Sequence, residues 1–272
     1  MHIKPLFILF IVSIFFTACQ PSPEQCADHL LNEAQILVDN GSWNQAMLLL
    51  DSIHTTYPRL VSHRRQAKAL ADSVGYLEAQ RTLAYTDTVL PPLLEQVDVL
   101  IKNFKFEKNE NYEDHGRYVH RLLVTNSNTS RNFIQAYVRD DRQTIVKSYY
   151  YGGKSVGQQS VTLQANGEEQ VFSGSNHHFE SEGHHEIMTL ENDPALAFLN
   201  FISTHQQGRV RVEGKGNGPL DTWVYYLTEQ EKQALSHTYQ LGWLMKDIKQ
   251  IEQMQNVANN KILHYQQKNN IK

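Results

Sequence analysis

The chain has 272 residues, 40% of them hydrophobic and 20% charged, with a formal net charge of −4. This is the balance of an ordinary globular protein; it leaves no basic stripe and so argues against a nucleic-acid partner. Past residue 19 no apolar run approaches the roughly 18 residues that a membrane-spanning helix needs.

The first eighteen residues read as a processing signal that takes no part in the fold. Lys4 gives a positive start, and Leu6 to Phe16 form an apolar core of about ten residues, too short for a stop-transfer helix. Phe16-Thr17-Ala18-Cys19 closes the segment with small residues before a cysteine. This run resembles the lipobox of bacterial lipoproteins, with Phe16 where that family usually has Leu. The resemblance implies lipidation of Cys19, which becomes the mature N-terminus. One acyl chain holds a protein only marginally, and the lipid of that family carries several. Residues 19–24 are then expected to be a short tether. Surface export in the Bacteroidota is associated with an acidic run directly after the lipidated cysteine, whereas the first acid here is Glu24. The expected address is therefore the periplasmic side of the outer membrane. About 254 residues remain after the signal, enough for one or two domains. With Cys19 lipidated, Cys26 has no internal disulfide partner and is expected to be a half-buried helix thiol.

A helical region is expected over 25–104. Leu30, Ala34, Leu37 and Val38 recur at helical spacing, Asn40-Gly41 should stop the first helix, and Ser42 can cap the next. Gly41, Trp43, Ala46, Leu50, Ile53 and Pro58 then follow a series that resembles one tetratricopeptide repeat. A single copy cannot build a solenoid, so the segment is expected to be a structural hairpin. Ala67, Leu70, Val74, Leu77, Arg81 and Ala84 continue a helical stripe, which Leu90-Pro91-Pro92 should break. Leu93, Val97, Leu100 and Phe104 share one further apolar face.

From 105 to 227 the period changes to two. Strands are expected at Tyr118 to Val124, Phe133 to Val138, Thr144 to Tyr151, around an Asn166-Gly167 hairpin turn, and at Glu186 to Leu190. Asp193-Pro194 should open a short helix, and Arg209 to Val212 with Trp223 to Leu227 should form a last hairpin. Beyond Thr228, which has capping-box spacing to Glu231, residues 228–272 carry a heptad-like seam through Leu241, Leu244, Ile248, Ile251, Gln255, Ala258, Ile262 and Tyr265. The seam is expected to pair with the 59–89 stripe as an antiparallel stem; self-pairing into a homodimer is the rival. The fold class is therefore α+β: an N-terminal helical hairpin, a long stem made with the C-terminal helix, and an antiparallel β-sandwich or open barrel between them.

Four groups of residues could carry chemistry. Gly153-Lys154-Ser155-Val156-Gly157 matches the string of a serine nucleophile elbow and overlaps the end of a phosphate loop, yet a strand rather than a helix should follow it, so a hairpin loop is expected. His177, His178, Glu180, Glu182, His184, His185 and Glu186 supply sound zinc or copper ligands; His178, Glu180, Glu182 and His184 would share a face if extended, but Gly183 and the polar density favour a solvated loop. Tyr149, Tyr150, Tyr151, Trp223, Tyr225 and Tyr226 could stack on sugars or peptides, with Tyr149, Tyr151, Trp223 and Tyr225 as the binding candidates, although core filling explains most of them. Asp51-Ser52-Ile53, Asp72-Ser73-Val74 and Asp87-Thr88-Val89 resemble the O-glycosylation signal of Bacteroidota envelope proteins, which would modify Ser52, Ser73 or Thr88. The chain as a whole is similar to lipoproteins of that group. It is expected to be non-enzymatic, with no cofactor and no metal, presenting its β domain to a protein or glycan. A solute- or glycan-binding lipoprotein and a His-rich metalloprotein or hydrolase are the alternatives.

Overall fold

The computed structural model describes residues 21–123 and 130–271. The expected signal and Cys19 lie outside these residues. Among the described residues no helix is long and apolar enough to cross a membrane. The chain divides into two compact units, one made of residues up to Arg81 and from Ala258 onward, the other of Thr82–Val257. The boundary between the units falls within the two long helices, so each of them contributes to both units.

In the first unit, α1 (Pro23–Asp39) starts at Ser22, whose side chain accepts from the Gln25 amide while the Gln25 side chain accepts from the Ser22 amide. Pro23 and Glu24 are thus helical rather than tether, since proline suits the first helical turn and the capping box fixes the start. Cys26 is a half-buried free thiol on this helix. Asn40-Gly41 stops α1 as expected: the Gly41 amide donates to Val38 and the Ser42 amide to Leu37. Ser42 does not cap α2 (Trp43–Thr56) with its side chain; its backbone closes α1 instead. Ala34, Leu50, Ile53 and Ala67 form one small core and Val38, Ala46 and Val74 another, so α3 (Val61–Leu100) packs its Ala67–Val74 stripe on the α1–α2 hairpin. The C-terminal helix pairs with α3 as the expected antiparallel stem, but through a different face of α3 from this stripe. The tail of α5 (Glu229–Lys268) meets a neighbouring face of α3: Tyr265 stacks on Tyr76 at 4.6 Å, its hydroxyl lies 3.0 Å from Ser73, and Lys268 pairs with Asp72.

In the second unit, α3 runs through Pro91 and Pro92 to Leu100. Each proline forfeits a backbone hydrogen bond at a cost of about 3 kcal/mol. The flanking residues Leu90, Leu93, Val97 and Leu100 pack against Leu241, Leu244 and Ile248 of α5, and burial worth about 1.5–3 kcal/mol per side chain outweighs that loss. Within this unit too the helices run antiparallel, with Asp87 accepting from Gln255. The expected capping box opens α5: the Glu231 amide donates to Thr228 Oγ1 at 3.2 Å and the Thr228 amide to Glu231 at 2.9 Å.

Among the described residues ten strands lie between α3 and α5: β1 (Phe104–Glu107), β2 (Arg117–His120), β3 (Phe133–Arg139), β4 (Thr144–Gly152), β5 (Gln158–Ala165), β6 (Glu168–Phe172), β7 (Ser175–Glu180), β8 (His184–Glu191), β9 (Arg211–Gly216) and β10 (Thr222–Tyr226). They make two antiparallel sheets, ordered β1-β2-β3-β4-β8-β7 and β10-β9-β5-β6. β2 is shorter than expected because the chain turns after His120, where Leu123 donates back to it; Val124 lies outside the described residues. Asn166 and Gly167 take φ of +51° and +85° in a two-residue turn between Ala165 and Glu168, the left-handed pair that matches the twist of a hairpin. The two sheets share one core: Ile134, Val146 and Met188 from the first meet Leu163, Val212 and Trp223 from the second. Helix α4 (Asp193–Thr204) enters the same core and is buried along Ala195, Phe198, Leu199 and Ile202.

Candidate functional site

The Gly153–Gly157 string is a joint between the two sheets rather than a hairpin loop, because β4 and β5 belong to different sheets. Its polar groups converge on one carboxylate. Ser155 Oγ (2.8 Å), the Val156 amide (2.7 Å) and the Gly157 amide (3.0 Å) donate to Glu186 Oε1, and the Gln158 amide (2.6 Å) donates to Oε2. Burial works to raise the Glu186 pKa, but those four donors together hold it below the ordinary value. A phosphate loop aims such amides at a ligand, and a nucleophile elbow leaves its serine facing substrate. Here an internal anion takes the amides and the hydroxyl, and strand β5 follows in place of a helix. Both catalytic readings of the string fail on that geometry.

The His-rich segment is a β-hairpin, not a loop. Alternation along β7 and β8 sorts its side chains onto two faces. His178, Glu180 and His184 share one of them, with Glu180 directly opposite His184 and His178 opposite Glu186. His184 Nδ1 lies 3.5 Å and His178 Nε2 4.0 Å from Glu180 Oε1. The other face carries Phe179, stacked on His185 at 4.6 Å, with Tyr151 against the same imidazole and His177 against Phe179. Glu182 leaves the group: it sits in the turn at φ +54°, and its carbonyl accepts from the Tyr151 hydroxyl. The segment reads as a loop because β7 is an edge strand, solvated along its whole length.

The four aromatic binding candidates do not converge. Tyr149 and Tyr151 are half-buried on one face of the six-stranded sheet, Tyr149 stacked on Phe133 at 4.2 Å with its hydroxyl donating to Gln135. Trp223 is buried in the shared core and donates to Gln158 Oε1 at 3.1 Å. The Tyr225 hydroxyl donates to Glu231, and burial followed by that carboxylate pushes its pKa up. The hydroxyls of the three glycosylation candidates all donate to carbonyls of their own helices, Ser52 to Leu49, Ser73 to Ala69 and Thr88 to Ala84; Thr88 is exposed, and Ser52 and Ser73 are half-buried.

Two further groups have no signal in the sequence. His115 Nδ1 lies 2.9 Å from Asp140, which also accepts from the Gly116 amide, and that amide followed by the imidazole holds the Asp140 carboxyl low. His120 is buried and joins β2 to α5. It accepts from the Leu122 amide at Nδ1, which places its proton on Nε2, 3.0 Å from His237 Nδ1. Burial and then the neighbouring imidazole push its pKa down from 6.5 to about 4. The unfolded chain therefore takes up this proton before the folded one does, and stability falls as pH drops from 6.5 towards 4, by up to about 3 kcal/mol. Urea unfolding across that range should show the fall in the parent and a flattened profile in His120→Gln; equal slopes would remove His120 as the cause.

Comparisons with family models, with curated proteins and with solved structures give no match to this chain.

Proposed function

We propose that the chain is a non-enzymatic lipoprotein of the bacterial cell envelope, anchored through lipid on Cys19 on the periplasmic side of the outer membrane, and that its β region serves binding or assembly. The observation that carries the anchor is the Phe16–Cys19 run after a ten-residue apolar core. Support for a binding role comes from the face of the six-stranded sheet that bears Phe133, Tyr149, Tyr151 and Phe179. Phe133 stacks on Tyr149 and Phe179 on His185, Tyr151 tilts against the same imidazole, and Arg131 lies over Phe133. Stiff aromatic side chains beside a cation suit a protein or glycan surface, because little side-chain freedom is lost on contact.

The test is a photoreactive phenylalanine analogue at Phe179 in native cells, in the parent and in Cys19→Ser. The parent should partition with detergent, carry an acyl mass and yield a discrete crosslinked species; Cys19→Ser should lose the acyl mass and the detergent partition. A mature parent chain without acyl mass overturns the anchor, and a parent without a discrete crosslink overturns the binding face.

A further inference from the structure

We propose that His178, Glu180 and His184 form a site for a divalent transition metal, zinc(II) above all. Their ligand atoms lie within 4.8 Å of one another, brought together by the β7–β8 register. Two imidazoles and one carboxylate are a donor set that zinc takes readily, and they leave a fourth position for water or a ligand from a partner. Tetrahedral zinc with bonds of about 2.0 Å separates its ligand atoms by about 3.3 Å. The His184–Glu180 separation of 3.5 Å already approaches that value, and His178 at 4.0 Å closes the remainder by rotating a side chain that is 43% exposed.

His184 Nδ1 supplies the second, independent observation. It is buried from solvent and has no hydrogen-bond partner. A buried polar atom left so costs about 1–3 kcal/mol, a deficit that a metal ion at this position would remove.

The hairpin is also held in shape before any ion arrives. The Ser181 amide donates to the Gly183 carbonyl, His185 Nε2 lies 2.9 Å from the Ser181 carbonyl, and the Tyr151 hydroxyl donates to the Glu182 carbonyl. Gly183 has φ of +151°, and a Cβ there would lie 2.7 Å from the Tyr151 ring, so the turn sits tightly against β4. Glu186 does not enter the site, because its two oxygens hold the Ser155 hydroxyl and the amides of Val156, Gly157 and Gln158. The other three-residue group, His115 with Asp140 and Asp141, lacks the orphaned nitrogen: His115 bonds Asp140, and Asp141 pairs with Arg139.

The inference does not depend on the lipid anchor. Its test is calorimetric titration of the full chain in detergent with zinc chloride, after chelator treatment. One-to-one binding tighter than about 100 µM is expected, weakened at least about tenfold by His178→Ala and by His184→Ala and unchanged by His115→Ala. Melting curves of the exposed His178→Ala variant should match the parent, which separates loss of ligand from loss of fold. Weaker binding by the parent, or binding indifferent to both hairpin substitutions, overturns the site.

Discussion

Glu186→Ala should unfold the β region about 3–5 kcal/mol more easily than the parent. Glu186 is 4% exposed and its carboxylate takes four donors, three of them backbone amides, of which the Gly157 amide also reaches Ser155 Oγ at 3.2 Å. Charge-assisted bonds of this kind contribute about 1.5–3 kcal/mol each, and they do not add fully, because the alanine variant admits water to part of the cavity. Glu186→Gln should recover only part of the loss. Its amide oxygen can serve the Val156 and Gly157 amides, but its NH2 group then faces the Gln158 amide, donor against donor. Urea denaturation of parent and variants measures both differences, and a cost below about 1 kcal/mol for the alanine variant would falsify the joint. The pH dependence gives an independent check. The folded carboxyl titrates below its ordinary value of 4.5, so its contribution is complete above that pH and is lost as pH falls through the lower folded value. His120 acts from 6.5 down to about 4, so the fall between 6.5 and 4.5 belongs to His120 alone and the Glu186 loss continues below it.

Much of the fold follows from local rules that act within a few residues. The Asn166-Gly167 turn, the Thr228–Glu231 capping box, the Asn40-Gly41 stop and the proline start of α4 each satisfy backbone groups nearby, and each stands where the residue types place it. What escapes such reading is set by contacts far along the chain. Pro91-Pro92 has every mark of a helix end, and only the apolar surface offered by Leu241 and Ile248 keeps α3 intact. β7 has no buried residue even when paired with β8, so its histidines look like a loop. Glu186 resembles any acid in a polar run until Ser155 and three amides reach it from about thirty residues away. The same limit affects the site. The ligand-type residues 178, 180 and 184 stand out by composition, but only the cross-strand register of Glu180 with His184 separates them from His177, Glu182 and His185.

Ile248→Asp should be at least as damaging, and it decides between the two partners available to the C-terminal seam. Ile248 is fully buried with Val97 from α3, Phe104 from β1, Val138 from β3 and Leu241 from its own helix. Removing a buried isoleucine side chain forfeits about 1.5–3 kcal/mol of burial, and a carboxylate without a partner in that place adds several more. A total near 4–5 kcal/mol lowers the melting temperature by about 8–20 °C in a unit of this size. Within this chain Leu241 and Ile248 of the seam are fully buried, whereas Met254 at 44%, Val257 at 56% and Leu263 at 53% exposure lie outside the seam. Val257→Asp, outside the seam, should change stability by no more than about 0.5 kcal/mol. Sedimentation velocity run beside thermal melting reads both variants at once. An internal seam gives a parent monomer and an Ile248→Asp monomer that melts early. A seam shared between two copies gives instead a parent dimer that Ile248→Asp splits into chains with an unchanged melt, and that outcome would overturn the pairing of α5 with α3.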